Sequence, residues 1–288
     1  MTLLPEAETL RKELEKEVVG QRITQVTVVS DGHEGVRRDA PDVGDLAGLA
    51  GQWIDAVIRQ GTNLALRFKD GRAFVIRSGS VATLTRKPAR ADGHQGRPPG
   101  SPAGHMEIVF ALEGGGALHY LDAERDGPVR LVPADELSHS PEFAPIGIDP
   151  FTSTSTWLEF SRQLVIRNCR LRALLGDDTF VVGLGDVYSD EILWAASLSG
   201  MRSSAELSAQ EVRRLYRAIQ EVLHEAIKRI RGVGDNADED PFEDPLARQH
   251  LKVYGRAGQY CARCRQTIVL AQIDNPPVAS YFCPNCQT

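Results

Sequence analysis

Two Cys-x-x-Cys pairs, Cys261-Ala-Arg-Cys264 and Cys283-Pro-Asn-Cys286, stand eighteen residues apart near the end of the chain. No other feature narrows the possible folds so far, because this is the spacing of a four-thiolate zinc site. Each pair presents two sulfurs to one tetrahedral ion, and a hairpin between the pairs brings them together. Four of the five cysteines lie here, so Cys261, Cys264, Cys283 and Cys286 are read as the ligands of one structural zinc. The competing arrangement, two disulfides, is rare in a reducing compartment. Zinc contributes roughly 10–16 kcal/mol of apparent binding energy, enough to fold a hairpin too small for its own core.

The approach to the hairpin is basic. From Leu246 to Ile273 there are Arg248, Lys252, Arg256, Arg263 and Arg265 and no carboxylate, whereas Asp235, Asp238, Glu239, Asp240, Glu243 and Asp244 crowd into the stretch before it. The net charge of −6 and pI near 5.7 argue against a general nucleic-acid coat protein. A local basic footprint binds phosphate even so. At 288 residues, 42% hydrophobic and 25% charged, the chain is long enough for two domains or more, and wholesale disorder is excluded. It has no run of eighteen apolar residues and no basic-then-apolar start, so the expectation is a cytoplasmic protein without a membrane span.

The first half reads as one helix and a set of strands. Leu10, Leu14 and Val18 recur at helical spacing from Pro5 to Val19, and Gly20 stops the helix. Strands are expected at 23–29, 53–59, 63–68, 73–78, 106–112, 117–121 and 129–132, with the Lys69-Asp70-Gly71 and Gly114-Gly115-Gly116 turns between neighbours. Residues 86–104 read as loop. After Pro150 the pattern turns helical: 157–175, 188–196, and a long helix capped by Ser208 with Glu211 three residues on. The fold class is α+β, with a β-sandwich domain over 1–149, a helical domain over 150–245 and a zinc finger over 246–288.

Four motifs in order resemble the formamidopyrimidine-DNA glycosylase/endonuclease VIII family. Leu4-Pro5-Glu6-Ala7-Glu8-Thr9 is similar to its L-P-E-V-E-T opening, and Gly183-Leu184-Gly185-Asp186-Val187-Tyr188-Ser189-Asp190-Glu191 to its G-V-G-N-I-Y-A-D-E turn. Leu251-Lys252-Val253-Tyr254-Gly255-Arg256 resembles the L-K-V-Y-G-R entry to the finger, and Tyr281-Phe282-Cys283-Pro284-Asn285-Cys286-Gln287 its ending. The resemblance implies a helix–two-turn–helix domain, double-stranded DNA containing damaged bases as partner, and a monomer that flips a nucleotide into a pocket. By resemblance, Arg125, Arg172, Gly185, Asp186, Lys252, Tyr254 and Arg256 are the DNA contacts.

The chain also departs from the family pattern. Family members attack the sugar C1′ with an N-terminal proline amine, and a glutamate follows it; here Thr2 and Leu3 take those places. Thr62 stands for a phosphate-facing lysine, Ser80 for a methionine that fills the emptied base position, and Val278 for the finger's arginine. Thr2, with a free amine after removal of Met1, and the carboxylates Glu6 and Glu8 are the remaining catalytic candidates. Three readings follow: a glycosylase acting on an alkylated or bulky base, a DNA-binding descendant without chemistry, and a protein-interaction scaffold.

Overall fold

The computed structural model describes residues 3–30, 46–76, 82–87, 106–122, 130–144, 146–152, 156–230, 250–273 and 277–288. They fall into two compact units: the described residues of Glu6–Ala144 in the first, and those of Leu3–Pro5, Pro145–Ile230 and Phe242–Thr288 in the second.

The first unit is the expected sandwich. Helix α1 (Leu4–Val18) buries Leu10, Leu14 and Val18 in its core, and Gly20 ends it at φ +80°. One sheet has the order β1-β6-β7-β5, with β1 Ile23–Ser30, β5 Ala82–Lys87, β6 Met106–Leu112 and β7 Ala117–Asp122. The other runs β2-β3-β4-β8, with β2 Ile54–Gln60, β3 Asn63–Phe68, β4 Arg72–Ile76 and β8 Arg130–Pro133. All pairs are antiparallel.

Leu64, Leu66 and Phe68 alternate along β3 and share one apolar cluster with Ile108, Phe110 and Leu118 of the facing sheet. Phe74 meets Phe110 and Tyr120 edge-on, at ring centroids 5.2 and 6.1 Å apart. Strand β3 is also covered on its outer face, where Ala65 packs with Ala73, Val75, Leu137 and Phe143. That double burial explains the apolar run Leu64-Ala65-Leu66, where both faces of the strand are covered. Strand β5 was not expected; among the described residues it pairs with β7 alone, at the end of the sheet order.

In the second unit the expected helix 157–175 is two helices, α2 (Trp157–Val165) and α3 (Leu171–Leu175). Tertiary hydrogen bonds break it. Leu171 N–H donates to Arg202 O and Arg172 N–H to Gly200 O, while Arg170 bridges to Ser203. Those amides are therefore withheld from the helical ladder, and local propensity loses to the loop at 200–204. Helix α4 spans Gly185–Ala196 and α5 Ala209–Arg229. The capping box on α5 is present: Ser208 Oγ accepts from Glu211 N–H, and Glu211 Oε2 accepts from Ser208 N–H at 2.8 Å. Val212, Leu215, Ile219 and Leu223 form its buried stripe. Among the described residues no helix is long and apolar enough to cross a membrane.

Glu211 also receives Arg202 Nη1 at 2.5 Å. The guanidinium first, and the Ser208 donors after it, hold its carboxyl down at about 2. A carboxyl depressed in the fold stabilises above its ordinary pKa near 4.5, and that contribution disappears as pH falls through the folded value. Thermal melts of the wild type and Glu211→Gln are therefore expected to differ at pH 7 and to converge as pH approaches 2. An unchanged gap at pH 7 and 2.5 would remove Glu211 from the account of acid stability.

Candidate nucleic-acid interface and metal centre

Helix α4 carries two buried carboxylates and a buried tryptophan, and each of these side chains reaches the C-terminal segment. Asp190, 0% exposed, accepts from Arg172 Nε at 2.9 Å, Ser280 Oγ at 2.8 Å and Tyr281 N–H at 2.7 Å. Glu191, 4% exposed, accepts the N–H groups of Lys252, Val253 and Tyr254 at 2.8–2.9 Å. Trp194 points its indole N–H at Cys261 Sγ, 3.4 Å away. Arg263 stacks its guanidinium 3.8 Å above the Trp194 ring and donates to Trp194 O, Ala195 O and Ser197 Oγ. It therefore caps the end of α4, where carbonyl groups have no helical partner and a cation is favoured. A helix otherwise made of core residues becomes the mount for the hairpin of β9 (Val269–Ile273) and β10 (Val278–Phe282).

The four expected cysteines do converge. Their sulfurs all lie within 4.8 Å of one another, with Cys261–Cys286 at 3.8 Å and Cys264–Cys283 at 3.4 Å. A tetrahedron with metal–sulfur bonds of about 2.3 Å has edges of about 3.8 Å, so the cage fits one metal ion. None of the cysteines forms a disulfide. Burial alone would raise the Cys261 thiol, yet the Trp194 N–H and backbone donors bring it down to about 6. Cys286 is pushed up to about 12 by burial and by the neighbouring thiols. Four sulfurs this close can all be thiolates only around a cation.

The basic approach lies beside this cage. Lys252 is exposed, and Tyr254 is half-buried with its ring 5.0 Å from Tyr281. Arg256 turns back to donate to Leu251 O, Lys252 O and Gln259 Oε1. At the start of α4, Gly185 has φ +55°, and a Cβ on it would meet Leu3 Cδ2 at 2.6 Å. The positive φ favours glycine, and any side chain there would have to displace Leu3. Asp186 is exposed in the first turn, and its carboxylate receives Arg172 Nη2 at 2.5 Å.

Arg172 departs from its expected place as a surface contact. It is 1% exposed and committed to Asp190, Asp186 and Ala279 O, so it neutralises carboxylates inside the unit. The exposed carboxylate of Asp186 thus has its own cation. Leu3, where a proton carrier would be needed, is 4% exposed in an apolar cluster with Leu184 and Val187.

Among the catalytic candidates, Glu6 is buried. Glu8 is held by Arg11 and by Arg59 Nε at 2.7 Å. Burial pushes the Glu8 carboxyl up, but the two guanidiniums prevail and keep it below its ordinary range, which makes it a poor base. Thr2, Arg125, Ser80 and the acidic 235–244 stretch lie outside the described residues. Asp190, Glu191, Trp194 and Arg263 were missed as site residues. Their signal was a carboxylate pair set in the apolar run of Tyr188–Ala196.

Comparison with known proteins covers the chain from end to end. The family model described as the formamidopyrimidine-DNA glycosylase N-terminal domain matches residues 1–129, and that of the formamidopyrimidine-DNA glycosylase H2TH domain matches residues 146–236. The formamidopyrimidine-DNA glycosylase of Pelotomaculum thermopropionicum is 32% identical over 296 residues, covering 100% of this chain and 99% of the relative. That of a Nocardioides species is 31% identical over 296 residues, with 100% and 94% covered. Among solved structures, Lactococcus lactis Fpg bound to DNA containing an oxidised pyrimidine aligns with a TM-score of 0.79 at 24% identity, covering 99% of each chain. The same protein with abasic-site DNA gives 0.78.

Proposed function

The chain belongs to the formamidopyrimidine-DNA glycosylase family, and from that premise we propose that it binds damaged duplex DNA and cleaves the N-glycosidic bond of a modified base in base excision repair. The observation that carries the reading is the match to two consecutive family models together with an α4 that holds the basic entry to a four-thiolate cage. Lys252, Tyr254 and Arg256 are the proposed phosphate contacts, which position a duplex without reading its sequence. The cage is proposed to hold one structural zinc, fixing both knuckles to one point. The ranges 1–149, 150–245 and 246–288 are proposed as sandwich, helix–two-turn–helix and finger, working as a monomer in the cytoplasm.

The chemistry differs from a proline amine with a glutamate beside it. Leu3 moves no proton, and Glu8 is already ion-paired. A purine alkylated at N7 or N3 is cationic and leaves readily, so a site that unstacks it and admits water needs less acid–base help. Where an amine attacks in place of water, the Thr2 amine freed by removal of Met1 is the candidate nucleophile.

The test is a panel of duplexes with alkylated or bulky adducts, scored for free base. Release from at least one adduct is expected. Leu3 in its apolar pocket favours a second reading, a damaged-DNA binder without chemistry. Binding with no base released across the panel, and no borohydride-trapped complex on an abasic site, would establish that second reading instead.

A further inference from the structure

Three consecutive backbone amides seldom aim at one point. Glu191 Oε1 accepts from Lys252 N at 2.9 Å, Val253 N at 2.8 Å and Tyr254 N at 2.9 Å, and its Oε2 accepts from Lys252 N at 2.8 Å. To converge so, the backbone must wrap around the carboxylate, which throws alternate side chains in opposite senses. Val253 is buried at 0% exposure while Lys252 stands exposed. Gly255, at φ +69°, then reverses the chain, and Arg256 folds back onto Leu251 O and Lys252 O. One buried carboxylate on α4 thus fixes where two cations and a phenol stand.

We propose that Glu191 is a positioning residue that preorganises Lys252, Tyr254 and Arg256 as an anion-binding loop for a DNA phosphate. The inference rests on the DNA-binding reading above. It adds that the amides of this loop are already consumed by Glu191, so the phosphate is met by side chains and not by a backbone nest. Without the carboxylate the three amides lose a common acceptor, and ordering the loop becomes a cost charged to binding.

The test is binding of an abasic-site duplex as a function of salt by the full-length, metal-loaded protein. Glu191→Gln puts an amide donor against the Lys252 N–H. It is expected to weaken binding about tenfold by loss of preorganisation and to lower the log–log salt slope by about one contact. Combined with Arg256→Ala, it is expected to add little to the single change, because both act through one loop. Metal content equal to wild type confirms that the hairpin is intact. If Glu191→Gln does not accumulate, Glu191→Asp, which draws the charge back by one methylene, is read in the same way. Wild-type affinity and slope in the variant, or fully additive losses, would overturn the proposal while leaving DNA binding in place. A wild type with no duplex affinity at low salt would instead remove the reading beneath it.

Discussion

Replacing Arg172 by alanine is expected to destabilise the second unit by about 3–5 kcal/mol, the cost of leaving one partner of a buried pair alone. Arg172 and Asp190 are 1% and 0% exposed and 2.9 Å apart. Burial pushes the Asp190 carboxyl up to about 6 even with the guanidinium beside it. Without Arg172 it must take up a proton or draw in water. Ser280 and Tyr281 also donate to Asp190, and Arg172 bonds Ala279 O, so the damage reaches β10.

Chemical denaturation of the metal-loaded protein measures the effect. The double variant Arg172→Ala/Asp190→Ala is expected to lose clearly less than the sum of the two single changes, since it removes both charges. A single variant within about 1 kcal/mol of wild type would show that the pair is dispensable, against the usual cost of an orphaned buried charge.

Removing the metal is the second large perturbation. A structural tetrathiolate site supplies roughly 10–16 kcal/mol of apparent binding energy, as much as a whole domain's usual net stability of about 5–15 kcal/mol. Chelation is expected to unfold the β9–β10 hairpin and to expose the four thiols of the cage to a thiol reagent. Cys283→Ser should arrive without metal and with the hairpin unfolded. Native mass spectrometry should find one ion per wild-type chain. A protein as purified that holds no metal and melts unchanged with chelator would refute the structural zinc. Trp194, whose indole N–H lies on Cys261 Sγ, provides a fluorescence reporter beside the cage.

The cage was the most legible part of the sequence, because four soft ligands at fixed spacing admit few geometries. The α5 capping box was equally plain, since both of its partners lie within one turn. What escaped was everything decided by distant chain. Residues 166–170 have helical neighbours on both sides, but the loop at 200–204 takes the amides that a continuous helix would use. The short Ala82–Lys87 strand has only β7 as a partner among the described residues, and its alternation is weak beside Gly- and Pro-rich neighbours.

Arg172 shows how a charge pattern misleads. With Arg162, Arg167 and Arg170 it forms a basic side on paper, yet it alone turns inward, because Asp190 lies eighteen residues on across a different helix. Asp190 and Glu191 were visible as acids in an apolar helix. Their partners were not, being sixty to ninety residues away.

The placement of Leu3 and Leu4 has a consequence for how the chain is made. Both belong to the apolar cluster of the second unit, and Leu4 N–H donates to Gly183 O at 2.8 Å. During synthesis these first residues leave the ribosome long before Gly183 and Gly185 exist to receive them. At about 5–20 residues per second, that interval is on the order of ten seconds or more. The sandwich, whose pairings all lie within the first half, has time to form around the rest of α1 while the leading residues wait. Their docking is then a late event that closes a loop of more than half the chain. Such closure adds only slowly growing entropy but sets the pace of folding. An extension fused at the N-terminus would enter that step with them, so a tag belongs at the C-terminus in any experiment that measures how this protein folds.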